Sequence, residues 1–229
     1  MTTDDINREI IALWSKQFGS ADREVRWPLI CPEPIQNGLT VVGCNPALPK
    51  SGYYKVPIFL PDSTTDQQIG ILAAHDADAR KKYHYYKPSI RLARDLGLEL
   101  EHVDLFFYRE SEQEKLLRLI HKTDECLNDF GKRQVELAVH LIALSRPKII
   151  LVANAFAARI FKEYFGLREL DDEGLHWVEL DGYRTPVFLS GMLSGGHLDN
   201  HTPERLVWHM RRTLVANQLD LRTLNTHNK

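Results

Sequence analysis

The sequence predicts an α/β domain: a three-layer fold with a four-stranded, mainly parallel sheet flanked by helices on both faces. Three observations carry that expectation. Short, continuously apolar runs end at Gly43, near Tyr108 and at Ala153, as strands covered on both faces do. Segments that read as helices lie between them, and one with a 3.6-residue apolar period precedes them. Asp181 and Gly182 sit between two apolar arms, a hairpin signal, and the second arm leads into a glycine-rich loop. Strands separated by helices require right-handed crossovers, which give parallel pairing.

In chain order, residues 4–18 carry Ile6, Ile10, Leu13 and Trp14 on one helical face, with Asp4 or Asp5 as the cap. A Pro-rich stretch at 27–34 leads to the first strand, 39–43. Residues 68–83 read as a helix, and so do 88–96, opened by Pro88 and stopped by Gly97. The second strand is 100–108, and helices follow at 112–121 and 130–144, with the charged stretch 122–133 as the turn between helices. The third strand, 148–153, contains Ile149, Ile150, Leu151 and Val152, and the helix after it, 156–165, closes at Gly166. The hairpin arms are 175–180 and 185–189, the latter being the fourth strand of the sheet. A last helix runs from Pro203 to about Leu219, and the tail from 225 is loose.

The chain has 229 residues, 43% hydrophobic and 26% charged, with a net charge of −2. That suits one globular domain over its whole length. No apolar run approaches the roughly 20 residues of a membrane span, and the opening residues lack the features of a signal peptide. A soluble cytoplasmic monomer is the expectation. Cys31, Cys44 and Cys126 are odd in number and form no C-x-x-C pair, which argues against a disulfide framework or a structural zinc site. The charge offers no global basic field for nucleic acid, although a local basic face is compatible with transient DNA contact.

Ligands of such sheets bind beyond the carboxyl ends of the strands. The loops after Gly43, Tyr108, Ala153 and Ser190 therefore hold the candidates. After the first strand, Gly43, Cys44, Asn45 and Pro46 form a tight exit that either presents the Asn45 amide at the rim or simply turns the chain. After the fourth, residues 190–201 contain Gly195 and Gly196, which let backbone approach a ligand, and His197, a donor to a developing anion. His197, Asp199 and His201 are alternatively metal ligands, though no H-E-x-x-H or cysteine partner supports them. The phosphate-binding patterns G-x-x-x-x-G-K-[ST] and G-x-G-x-x-G do not occur, and neither does G-x-S-x-G. Residues 80–87 interleave Arg80, Lys81, Lys82 and Lys87 with aromatic rings, a combination that holds phosphates and stacks on bases; a solvated helix end has the same composition.

The order of these pieces resembles the uracil-DNA glycosylase superfamily over about residues 39–212. The segment V-G-C-N-P at 42–46 is similar to the first motif of its Asn-bearing branches, and R-P-K-I-I-L-V-A-N-A-F-A-A at 146–158 to its third strand and following helix. His197 matches the second motif's histidine by position and neighbourhood. Leu198 and Asp199 stand where the family carries Pro-Ser, and the strand ending at Tyr108 and Arg109 lacks the Asn with which several branches read uracil.

The resemblance implies excision of uracil or another deaminated or damaged base from DNA, single- or double-stranded, with no cofactor and no metal. Breaking the N-glycosidic bond leaves an oxocarbenium-like sugar and an anionic base, and the nucleotide must first be flipped out. It implies that Asn45 positions water or stabilises the sugar cation and that His197 donates to the base carbonyl, with both lining one pocket. Phe59, Tyr53 and Tyr54 stack on the flipped base, with Cys44 and Asn154 beside it. Leu198 wedges into the vacated stack. Lys81, Lys82, Arg80, Gly195, Gly196 and Asn200 complete the DNA contacts. A binding module on the same fold and a metal-dependent hydrolase are the other two readings.

Overall fold

The structure, a computed structural model, describes residues 1–19, 27–47, 64–82, 84–123, 126–193 and 201–226, with backbone alone at 77–82, 84 and 218–226. Its elements are α1 (Thr3–Phe18), β1 (Leu39–Gly43), α2 (Thr65–Lys82), a short 3-10 helix (His84–Tyr86), α3 (Lys87–Leu96), β2 (Leu100–Asp104) and α4 (Gln113–Ile120). There follow β3 (His121–Thr123), β4 (Cys126–Leu127), α5 (Asp129–Ser145), β5 (Ile149–Ala153), α6 (Ala155–Phe165), β6 (His176–Leu180), β7 (Tyr183–Ser190) and α7 (Thr202–Thr226).

The fold is α/β, with a mixed, mostly parallel sheet in the order β2-β1-β5-β7-β6. β1 pairs in parallel with β5 (Leu39 with Ile149) and β5 with β7 (Ile150 with Val187), whereas β6 pairs antiparallel with β7. The sheet thus has five strands where four were expected. The first hairpin arm is a full edge strand, because the Asp181–Gly182 turn, with φ of 45° and 83°, folds it back flat onto β7. Pro186 lies inside β7, which is unusual for a strand with two neighbours. It stands opposite Trp177 of β6, and pairing with β5 begins only at Val187, so no β5 residue is deprived of a donor there.

Three other expectations change. Thr2, not Asp4 or Asp5, caps α1; Asp5 is three residues further on and accepts from the Thr2 backbone N–H (2.8 Å), completing a reciprocal capping box. The stretch read as a plain turn holds the small β3–β4 ladder. Its backbone N–H and C=O groups pair with each other, which its polar sequence did not signal. α7 runs to Thr226, past the expected end near Leu219 and into the segment read as loose.

The chain divides into two compact units built from interleaved segments. One comprises Ile35–Val42, Tyr85–His102 and Ser145–Lys229. Its core joins Leu39 and Val41 of β1, Ile149, Leu151 and Ala153 of β5 and Phe188 of β7 to Leu92 and Ala93 of α3 and Met210 of α7. The alternate residues Thr40, Val42, Ile150 and Val152 point to the opposite face and are buried too, so both faces are covered. Gly38, just before β1, lies so close to the Glu99 carbonyl that a Cβ would collide with backbone.

The other unit comprises Met1–Pro34, Gly43–His84 and Val103–Leu144. Trp14 and Phe18 of α1 pack on Tyr108 and Phe130, with centroids 5.1–6.1 Å apart. The Asn7 amide bonds both the N–H and the C=O of Cys31 (2.9 Å each), tying the Pro-rich segment to α1. Arg133 of α5 bridges Glu136 and Glu9.

Candidate functional site

The exit of β1 is laced to the exit of β2. The N–H groups of Leu105, Phe106 and Glu110 donate to the carbonyls of Gly43, Cys44 and Pro46 at 2.9–3.1 Å. Asn45 lies in the middle of this lacing, half-buried. Its Nδ2 donates to the Glu110 carbonyl at 2.7 Å and shares its other proton between the carbonyls of Tyr108 and Pro46, both at 3.2 Å. A carbonyl oxygen only accepts, so these three partners fix which end of the amide is nitrogen. Oδ1 is thereby held on the opposite side, as an acceptor of set orientation.

Cys44, expected beside the base, is buried, and its thiol is pushed far above the ordinary range by desolvation first and by the charge of Asp104 second. It is inert as a nucleophile at neutral pH. Behind the loop lies a buried ion pair. Arg109 reaches Asp76 of α2, whose carboxylate also accepts from the Ile30 N–H (3.1 Å) and faces His75 Nδ1 (3.1 Å). Phe107 N–H donates to the Gln134 side chain of α5 at 2.8 Å. The segment 105–110 is thus held from the α2 and α5 sides, and it in turn holds Asn45.

In the other unit, Asn154 follows β5. Its Oδ1 accepts from the N–H groups of Phe156 (2.9 Å) and Ala157 (3.0 Å), the N-cap of α6. The Asn154 oxygen thus caps the helix, while its Nδ2 end makes no part of that cap.

No family model matches the chain, and no curated protein matches it.

His197, Gly195, Gly196, Leu198, Asn200, Asp199, Tyr53, Tyr54 and Phe59 lie outside the described residues. Arg80, Lys81 and Lys82 stand in the last turns of α2, their side chains likewise outside. Tyr85 and Tyr86 turn their rings onto His102 of β2 at 5.9 and 5.0 Å, so these two aromatics of the basic stretch are engaged within the fold. Arg211 of α7 caps α3 through the Asp95 carbonyl, and Arg212 pairs with Glu173 at 2.9 Å. Among the described residues no group of three or more His, Cys, Asp or Glu is placed to hold a metal, and no helix is long and apolar enough to cross a membrane.

Sequence reasoning missed Asp76 and Arg109. They are 33 positions apart, and no local pattern links them. It also missed Arg159 and Lys162 of α6, whose i, i+3 spacing on a helix beginning at the sheet's carboxyl edge was a legible signal.

Proposed function

We propose that this protein excises uracil or another deaminated or damaged base from DNA by hydrolysing the N-glycosidic bond. It does so as one three-layer α/β domain of the uracil-DNA glycosylase type, a cytoplasmic monomer needing neither metal nor organic cofactor. The observation that carries the reading is the fixed amide of Asn45 at the exit of β1. An acceptor oxygen of set orientation is what positioning an attacking water, or facing an oxocarbenium-like sugar, requires, and a preset dipole needs no reorganisation in the transition state. In this reading His197 donates to the carbonyl of the departing base. Phe59, Tyr53 or Tyr54 stacks on it, Leu198 fills the gap in the duplex, and Lys81 and Lys82 hold phosphates.

The test is single-turnover excision on single and double strands containing uracil, with other deaminated bases in the panel. Asn45→Ala and His197→Ala should each slow base release by 10²-fold or more, the order of magnitude for losing one transition-state contact. DNA affinity should change little. Replacing Lys81 and Lys82 should do the reverse and flatten the salt dependence of binding. A wild-type protein that leaves every substrate intact rejects the enzyme.

One observation favours a second reading, a nucleic-acid or nucleotide binding module that does not cut. Both amide protons of Asn45 serve the loop, which is also what a purely structural pin looks like. That module binds the same oligonucleotides and releases no base.

A further inference from the structure

A shallow depression of about 590 Å³ lies where β7 leaves the sheet, lined by Arg159, Lys162, Ala155 and Ala158 of α6 and by Leu189, Ser190 and Gly191. Its lining holds two cations, one hydroxyl and no carboxylate. Arg159 and Lys162 are three residues apart, so they share one face of α6, where like charges repel unless an anion lies between them. Among the described residues neither makes a salt bridge. The Arg159 guanidinium lies 5.2 Å from the centre of the buried Phe156 ring, a cation–π contact that holds its charge beside the depression. Alanines at 155 and 158 keep that face of the helix low. The first N–H groups of α6 are already capped by Asn154, so an anion here is held by side chains and not by the helix terminus.

We propose that this depression is a phosphate-ester site, in which Arg159 grips the oxygens edge-on, Lys162 supplies the second charge and Ser190 Oγ donates. Planar bidentate recognition by arginine suits phosphate oxygens. The volume falls within the range of small-ligand sites and admits the sugar attached to the ester. The ester is either a phosphodiester of a nucleic-acid strand or the monoester of a free nucleotide. The first case deepens the glycosylase reading, by giving the strand an anchor at the carboxyl edge of the sheet, and rests on it only for its purpose.

The experiment uses the full chain and measures binding, not excision. A labelled single-stranded 12-mer is titrated by fluorescence polarisation at 50 and 200 mM salt, and a 5′-nucleoside monophosphate and inorganic phosphate by calorimetry. The variants are Arg159→Gln with Lys162→Gln, Arg159→Lys, and, as a control, Arg118→Gln on the exposed face of α4. Thermal melts verify folding. If the strand is the ligand, the double variant binds the 12-mer at least tenfold more weakly at 50 mM salt. Two lost contacts lower the logarithmic salt slope by about 1.4, so the ratio of variant to wild-type Kd shrinks about sevenfold between the two salts. Arg159→Lys, which keeps the charge and loses the planar fork, lies in between, and the control is unchanged. If a nucleotide is the ligand, the monophosphate and inorganic phosphate bind wild type and not the double variant, while the 12-mer is indifferent. Equal losses in the control and the double variant, or wild-type binding of every probe by the double variant, overturn the site. A protein that releases no base yet loses phosphate binding in the double variant keeps this site and rejects the glycosylase.

Discussion

Replacing Asn45 by aspartate separates its two possible roles. The substitution keeps the shape and the acceptor oxygen but removes both amide protons. An acceptor then faces the Glu110 carbonyl at the 2.7 Å now occupied by a hydrogen bond, with the carbonyls of Tyr108 and Pro46 at 3.2 Å on its other side. Two lost hydrogen bonds at about 0.5–1.5 kcal/mol each give about 1–3 kcal/mol. Placing a charge against three carbonyl oxygens in a half-buried loop adds the desolvation of those groups, about 1–3 kcal/mol more. The sum is a large share of the 5–15 kcal/mol by which a domain is stable. The loss depends on pH. The new carboxyl has its folded-state pKa raised above the unfolded value of about 3.9, because its neutral form can donate one O–H to the Glu110 carbonyl. The protonated form's stability is fully present below about pH 3.9 and lost as pH rises through the raised folded value. Urea unfolding followed by tryptophan fluorescence at pH 4 and pH 7, for wild type, Asn45→Ala and Asn45→Asp, reads this directly. Asn45→Asp should be the least stable at pH 7 and should draw level with Asn45→Ala at pH 4. Wild-type stability of Asn45→Asp at pH 7 would refute the claim that the amide nitrogen faces the loop, and would leave Asn45 as an interchangeable acceptor.

Arg109→Met should lower the unfolding free energy by about 3–5 kcal/mol, since it leaves Asp76 charged and buried. Adding Asp76→Leu should recover part of that loss; an additive loss in the double variant would show that the two side chains act separately. In the native protein the exposed Cys126 should react with a thiol reagent at pH 8 while Cys44 stays unmodified, as peptide mapping will tell. Because burial holds the Cys44 thiol high, its contribution to stability is complete below about pH 8.5 and declines as pH rises beyond it, where the unfolded thiol ionises. Asn154→Ala should cost about 1 kcal/mol as a lost helix cap and leave ligand affinity within twofold. A selective loss of base release without that destabilisation would show Asn154 acting on the base and not on the helix.

How far the fold could be read in advance follows from where its signals are local. Ile149 to Val152 announce a buried strand because four apolar residues in a row have no solvent-facing alternative. Gly97 and Gly166 announce helix ends because each adopts a left-handed conformation, with φ of 67° and 62°. The strand β6 was visible as a hairpin arm, but nothing in its alternation told whether the hairpin joined the main sheet. β3 and β4 are too short and polar to signal pairing. The site was harder for a related reason. A polar residue leaving a strand suits a ligand or a cap equally, and only geometry assigned Asn154 to the cap. Asn45 was correctly placed at an exit loop, yet the direction of its amide depends on carbonyls more than 60 positions away. The Asp76–Arg109 pair is likewise non-local, and no spacing rule reaches it.

Pro186 constrains how this sheet can be assembled at all. Counting from the two-residue turn, the hydrogen-bonded positions of the β6–β7 hairpin fall at 183, 185 and 187, so the proline nitrogen is turned to the β5 side, just before the parallel ladder starts. A slip of β7 by two residues is the smallest that keeps the same side chains inside. In one direction that slip sets Pro186 against Leu151, where the ladder needs a donor that proline does not have. The residue therefore acts as a ratchet tooth. The hairpin forms from contacts close in sequence and can close early, and when it docks on β5 it cannot slide in that direction without losing a ladder bond. The carboxyl end of β7, with Ser190, is delivered to the edge of the sheet at one height.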